Sequence, residues 1–264
     1  MAHKARKRFG QNFLHDQMVI ERIVNSFNPK PGDHVVEIGP GEGALTSLIL
    51  NTIGKMDIVE LDRDLIPLLK IRFATFDALK IHSADALKFD FCSLQEDEHK
   101  LRIIGNLPYN ISTPLLFHLF SQSHCIQDMH FMLQKEVVDR MVASAGDNAY
   151  GRLSIMLQYF CTAEYLFTVK PESFRPAPKV DSAIVRLIPH AEPPVEITDF
   201  DAFSKLVNFS FTQRRKTLRN ILKGQLEVSH IEALGIDPAT RPERLTLEDF
   251  SRLANRICEL NESN

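Results

Sequence analysis

Tryptophan is absent from this 264-residue chain, and cysteine occurs only four times, at Cys92, Cys125, Cys161 and Cys258. The cysteines are far apart and make no C-x-x-C pair. Neither a disulfide scaffold nor a zinc ribbon is expected, and a reducing cytoplasm fits. Long apolar runs are also missing: none approaches the roughly 18 residues that cross a bilayer, so no membrane association is expected. Residues 1–12 are basic, but no pure apolar segment follows them, so they do not read as a secretion signal. A large charge excess is lacking too, since 31 Lys and Arg against 34 Asp and Glu leave a net −3. With 44% hydrophobic and 25% charged residues, disordered and fibrous classes are excluded. The length suits one large domain, or one domain with a small appendage.

The overall balance hides two basic clusters. Residues 1–8 hold Lys4, Arg6, Lys7 and Arg8 without an acid, and residues 211–223 hold Arg214, Arg215, Lys216, Arg219 and Lys223, again without one. Such clusters suit a protein that meets phosphates on one face, and equally a merely solvated surface.

From residue 33 short β-branched runs alternate with helical stretches. Strands are expected at 34–38, 57–61, 80–83, 102–105 and 129–133, and helices at 45–53, 64–73, 114–120 and 134–143. This alternation implies a parallel sheet with helices on both faces, completed by later strands near 165–169 and 183–188. Residues 189–198 contain three prolines and read as a linker. Beyond them the pattern is helical, at 200–209, 213–223, around Ile231 and at 247–260. An α/β, Rossmann-like domain over 1–190 and a small all-helical domain over 191–264 are therefore expected.

The first strand of the alternation ends in Glu37-Ile38-Gly39-Pro40-Gly41-Glu42-Gly43. Gly39 and Gly41 let the backbone turn sharply and approach a ligand. The spacing is not that of dinucleotide binders, and Glu42 disfavours a pyrophosphate. A phosphate-free nucleoside such as S-adenosylmethionine suits the loop better, the alternative being a plain tight turn. The next strand ends in Val59-Glu60-Leu61-Asp62, which offers a carboxylate to a ribose diol. The third is followed by Ala84-Asp85-Ala86-Leu87, where Asp85 could accept from an adenine amine. Three such features at successive strand ends are where doubly wound sheets bind ligands.

After the fourth strand stands Asn106-Leu107-Pro108-Tyr109. An exocyclic adenine amine is a poor nucleophile because its lone pair is delocalised. The Asn106 amide oxygen and the Leu107 carbonyl could each accept one of its N–H bonds and aim that pair. Pro108 would stiffen the turn and Tyr109 would stack on a flipped base. Phe174, in the proline-rich stretch 171–178, could stack on the other side, or else pack in a small apolar cluster. Residues 8–14, Arg-Phe-Gly-Gln-Asn-Phe-Leu, read as a lid over the site or as a flexible tail.

Taken together, KRFGQNFL (7–14), EIGPGEGALT (37–46), VELD (59–62), ADAL (84–87), GNLPYNISTPLLFHLF (105–120), YGRLS (150–154), FRPAPKVDS (174–182) and FTQRRKTLRN (211–220) cover nearly the whole chain. They resemble the ribosomal RNA adenine N6-dimethyltransferases, most closely the bacterial branch acting on small-subunit (16S) rRNA. The resemblance implies S-adenosylmethionine contacts at Asn12, Leu14, Gly39, Glu60, Asp85 and Asn106, and a base pocket of Asn106, Leu107, Pro108, Tyr109 and Phe174. It also implies dimethylation of two adjacent adenosines in a hairpin loop near the 3′ end of 16S rRNA, within an assembling 30S subunit. One departure is visible: Ala145-Gly146-Asp147-Asn148 stands where relatives often carry Pro and Lys, which puts a phosphate contact there in doubt.

The activity expected is in-line transfer from a sulfonium, with S-adenosylhomocysteine as product. The sulfonium carbon is already electrophilic, so no metal is required, and alignment and amine polarisation would carry catalysis. Arg6, Lys7, Arg8 and the 214–223 cluster would grip phosphates. A cytoplasmic monomer is expected. The rivals are an adenine methyltransferase for DNA, an amide methyltransferase for protein, a large-subunit rRNA methyltransferase, and a non-catalytic assembly factor.

Overall fold

The computed structural model describes residues 11–109 and 111–262. The expectations at Arg6, Lys7 and Arg8 lie outside the described residues. In chain order the elements are β1 (Phe13–Leu14), α1 (Gln17–Phe27), β2 (His34–Ile38), α2 (Ala44–Ile53), β3 (Met56–Glu60), α3 (Leu65–Arg72), β4 (Leu79–Ser83), β5 (Leu101–Asn106), α4 (Ser112–Phe120), β6 (Ile126–Gln134), α5 (Lys135–Val142), α6 (Arg152–Phe160), β7 (Cys161–Val169), β8 (Phe174–Arg175) and β9 (Ser182–Pro189). They are followed by α7 (Phe200–Thr212), α8 (Leu218–Ile221), α9 (Val228–Ala233) and α10 (Leu247–Glu262).

Seven strands form one sheet in the order β4-β3-β2-β5-β6-β9-β7. The β-branched runs Val35–Val36, Ile58–Val59 and Ile103–Ile104 are all but sealed from water, as suits parallel strands covered on both faces. Strands β4 to β6 pair in parallel, while β9 runs antiparallel to β6. From β2 the chain winds outward through β3 and β4, then returns to β5 and winds the other way through β6. That reversal opens a crevice at the carboxyl ends of β2 and β5, where sheets of this kind bind ligands. The fold is α/β and Rossmann-like, as the alternation implied.

Gly105 explains how closely the two strands approach at the crevice. It pairs with Ile38, and a Cβ on it would lie 2.6 Å from the Ile38 carbonyl oxygen. At the other end of β5, Arg102 bonds Asp128 of β6 through Nε (2.8 Å) and Asp33 through Nη1 (2.7 Å). Its guanidinium lies 4.3 Å from the Phe27 ring centroid, so the pair is buried and multiply bonded.

Chain contacts divide the described residues into two units. One comprises residues up to Val138 together with Glu164–Pro189, and the other Asp139–Ala163 together with the chain from His190 onward. The second unit therefore takes in residues 139–163 besides the C-terminal helices, whereas the sequence placed a single boundary at 190. Within it α6 packs on α7 and α10, burying Ile155, Met156 and Leu157, and the Tyr150 hydroxyl donates to the Leu245 carbonyl at 2.8 Å.

Two local expectations are corrected. The helix expected over 213–223 is not continuous: α7 ends at Thr212, a turn closes where the Lys216 N–H donates to the Gln213 carbonyl (2.8 Å), and only 218–221 is helical afterwards. The buried stripe of α7, Phe203, Leu206, Val207 and Ser210, is followed only by Phe211, which packs on Tyr150 and Phe250. From Thr212 to Thr217 no apolar residue continues it, so no apolar side chain of 212–217 anchors the intervening turn. Cys92 and Cys125, distant in sequence, are disulfide-bonded, while Cys161 and Cys258 are free. No described helix is long and apolar enough to cross a membrane.

Candidate functional site

The crevice is a cavity of about 320 Å³ lined by residues 11–14, the glycine loop, and the ends of β3, β4 and β5. Its lining among the described residues includes Glu37, Glu42, Glu60, Asp62 and Asp85, and no Lys, Arg or His. Such a wall repels phosphate and suits a ligand bearing positive charge.

Four of these acids, Glu37, Glu60, Asp62 and Asp85, are held by hydrogen bonds. Glu37, the acid of an otherwise apolar strand, accepts from the Thr46 hydroxyl of α2. Burial pushes its carboxyl up to about 7, the Thr46 bond opposes that, and the neighbouring charge of Glu60 adds to it. Burial also raises Glu60, against N–H bonds from Asp62, Gly41 and Leu61, with the Asp62 charge adding to the rise. The Asp62 N–H lies 2.7 Å from Glu60 Oε1. A carboxylate has about four acceptor positions, so with the Asp62 N–H bonded to it Glu60 retains room to accept from a ribose diol. Asp85 accepts from the Leu87 N–H at 3.0 Å, closing the turn after β4.

The segment 11–14 forms the remaining wall. Gln11 donates to Asp62 Oδ2 at 3.0 Å. Phe13 and Leu14 of β1 pair with Arg175 and Phe174 of β8. Asp16 caps α1 by accepting from Met18 and Val19 N–H groups, and Ser173 Oγ donates to its other oxygen at 3.1 Å. Gly41 has φ +58°, and a Cβ there would come within 3.0 Å of the Phe13 ring. A side chain at Gly41 would therefore be strained and would displace that wall.

Asn106 ends β5 at the crevice. Its Nδ2 donates to the Asn12 carbonyl at 3.0 Å, which fixes the orientation of the amide. The amide oxygen has no hydrogen-bond partner among the described residues and is not among their sealed unsatisfied atoms. Leu107 is buried, its N–H bonded to the Met132 carbonyl at 3.2 Å. Pro108 accepts from the Ile111 N–H. Tyr109 is half-buried, and its hydroxyl lies 2.8 Å from Ser182 Oγ at the start of β9. Burial pushes the phenol up, with the Ser182 bond opposing.

The cavity thus gathers Asn12, Leu14, Gly39, Gly41, Glu60, Asp85, Asn106, Leu107, Pro108 and Tyr109. It does not gather Phe174, which is 2% exposed and packed in the apolar cluster around Leu14 and Ile184. In this arrangement Phe174 offers no face to a base; the apolar alternative describes it. Arg214, Arg215, Lys216, Arg219 and Lys223 belong to the second unit and are exposed. Arg214 reaches the Asn148 carbonyl (3.2 Å) and Glu243 (3.9 Å), and Asp147 accepts from the Ser144 N–H at 2.8 Å.

Sequence reading assigned no role to Glu37, Asp62, Thr46 or Ser182. Glu37 carries a signal, being an acid inside the apolar run HVVEI. Ser182 carries none, since it meets Tyr109 from 73 residues away.

Comparison with known proteins agrees with this geometry. The chain is 60% identical over 255 residues to Ribosomal RNA small subunit methyltransferase A of Marinomonas sp. (strain MWYL1), covering 97% of this chain and 96% of that protein. A dimethyladenosine transferase from Plasmodium falciparum superposes with a TM-score of 0.79 at 30% identity, covering 95% of this chain and 98% of the other. The 23S rRNA methyltransferase ErmE superposes with a TM-score of 0.74 at 25% identity, covering 94% and 100%. A family model described as Ribosomal RNA adenine dimethylase matches residues 2–259. With the Asn-Leu-Pro-Tyr turn at the mouth of an acid-lined crevice and a match over almost the whole length, the chain belongs to the ribosomal RNA adenine dimethylase family.

Proposed function

We propose that the protein is an S-adenosylmethionine-dependent N6-dimethyltransferase for two adjacent adenosines in a hairpin loop near the 3′ end of 16S rRNA, acting in the cytoplasm as a monomer on the assembling 30S subunit. The observation that carries this reading is the Asn106 amide, tied by its nitrogen to the Asn12 carbonyl so that its oxygen is left to accept. The substrate and its setting also rest on the resemblance to the small-subunit branch.

When bound, S-adenosylmethionine supplies an electrophilic methyl on a sulfonium and is released as S-adenosylhomocysteine, so no metal is called for. The five carboxyl groups of the lining, with no cation beside them among the described residues, support a ligand with a sulfonium and an ammonium. Gly39, Gly41 and Leu14 would contact it along the loop and the N-terminal wall, with Asn12, Glu60 and Asp85 offering hydrogen-bond partners. Asn106 Oδ1 and the Leu107 carbonyl would accept from the adenine amine, withdrawing its lone pair from the ring and aiming it in line. Pro108 keeps the turn stiff, and Tyr109, steadied by Ser182, presents a ring to the extruded base. The exposed cations from Arg214 to Lys223, with Arg6, Lys7 and Arg8, would bind phosphates. For the second methyl, one acceptor must release its N–H partner.

The test is methylation of small-subunit particles from cells lacking the modification, with nucleosides mapped by mass spectrometry. Dimethyladenosine at two neighbouring positions of 16S rRNA is expected. Label confined to DNA, to protein or to large-subunit rRNA would overturn the reading.

A further inference from the structure

At the amino-terminal end of the parallel strands, away from the crevice, Cys92 and Cys125 are joined, their Cα atoms 5.5 Å apart across 33 residues. Cys92 lies in the turn Phe91–Leu94, and Cys125 ends the turn Ser123–Cys125 that leads into β6. Cys125 is buried, Cys92 half-buried and His124 exposed. His124 Nε2 lies 3.3 Å from Cys92 Sγ. The two turns are also tied independently of the sulfurs. Gln122 accepts through Oε1 from the N–H groups of Phe91 (2.7 Å) and Cys92 (3.3 Å), and donates through Nε2 to the Phe89 carbonyl (3.2 Å). Opening the sulfur bond therefore leaves the two thiols facing each other, at high effective concentration.

We propose that Cys92 and Cys125 form a reversible dithiol–disulfide couple in which His124 activates Cys92 toward peroxide-class oxidants. An imidazole against the accessible sulfur can take up its proton, leaving the nucleophilic thiolate. Oxidation then has two balanced steps. Cys92 sulfur attacks a peroxide oxygen: an S–O bond forms, the O–O bond breaks, and hydroxide departs with the proton held on His124 as water. The Cys125 thiol attacks the resulting sulfenic sulfur: the S–S bond forms, the S–O bond breaks, and the hydroxyl leaves with the Cys125 proton as a second water. A dithiol reductant reverses the state, becoming a disulfide and returning two hydrogens. In a reducing compartment such a bond is transient rather than structural. Closing it anchors the connector that begins at the Asp85 turn to the start of β6.

The test uses the full-length protein, reduced and then exposed to hydrogen peroxide, with thiols counted by differential alkylation and peptide mass spectrometry. Loss of two thiols and a linked Cys92–Cys125 peptide, released by a dithiol without denaturant, is expected. Oxidation should raise Tm by roughly 5–10 °C. Cys125→Ala should leave a Cys92 sulfenic acid that dimedone traps. His124→Ala should slow oxidation at pH 7 about tenfold and move the pH profile of Cys92 alkylation upward, with the Tm of the reduced protein unchanged. The proposal is overturned if both thiols survive millimolar peroxide, or if the bond opens only in the unfolded chain. It is equally overturned if the reduced protein takes up one Zn²⁺ on Cys92, His124 and Cys125 and becomes inert to peroxide.

Discussion

Among the described residues the crevice offers five carboxyl groups and no cation, whereas the stretch from Arg214 to Lys223 offers five cations and no carboxyl. The contrast extends to how each charge is held. Glu37 and Glu60 are buried, bonded to a hydroxyl and to backbone N–H groups, and shifted by burial. Arg215, Lys216, Arg219 and Lys223 are exposed, and their field is screened by salt within about 10 Å. On the proposed reading, one region would select a small ligand by fixed geometry and the other would attract a polyanion by number.

Asn106→Ala should break the first half of this contrast most strongly. Methyl transfer to 16S rRNA in single-turnover assays is expected to fall on the order of 10²–10³-fold, the usual cost of a lost aligned polar group, with particle binding preserved. Next in size, the triple substitution Arg214→Ala, Arg215→Ala and Lys216→Ala should weaken RNA binding about 10–100-fold. It should also flatten the slope of log affinity against log salt by roughly 2 to 3, with cofactor affinity unchanged. An unaltered salt slope would remove these residues from the RNA contact. Gly105→Ala forces a Cβ against the Ile38 carbonyl and should cost about 2–3 kcal/mol in denaturant unfolding.

The raised carboxyl of Glu37 gives a further prediction with a definite sign. Between pH 4.5 and about 7 the folded protein keeps a proton that the unfolded chain has lost. The Glu37 contribution to stability is therefore fully present below pH 4.5 and declines as pH rises through that window. Glu37→Gln, with no charge to bury, should match the parent near pH 4 and exceed it at pH 8 by at most about 3 kcal/mol. The smallest effect is expected for Tyr109→Phe, which keeps the ring and loses only the Ser182 bond: a few-fold drop in kcat, read with KM unchanged.

Much of this was legible in the sequence because it rests on local chemistry. The alternation of HVVEI, IVE and RIIG with helical stretches forecast the central strands, and the Gly39 loop and Asn106 turn fell at strand ends where the sheet opens. What escaped depends on distant partners. Phe174 reads equally as a stacking face or a core residue until β8 is seen to pair with β1. Periodicity carried a helix through Arg214–Lys216 because it does not register that the buried stripe stops at Ser210. Cys92 and Cys125 are brought together by Gln122, a residue with no motif around it.

The bond from Asn106 to the Asn12 carbonyl would, in the proposed mechanism, tie catalysis to exchange. The amide assigned to aim the target nitrogen is also fastened to the segment that walls the crevice. Were spent cofactor swapped for fresh past that wall, this latch would have to unfasten and the turn would lose its aim. Two methylations of one nucleotide would then require the enzyme to disarm and rearm between them.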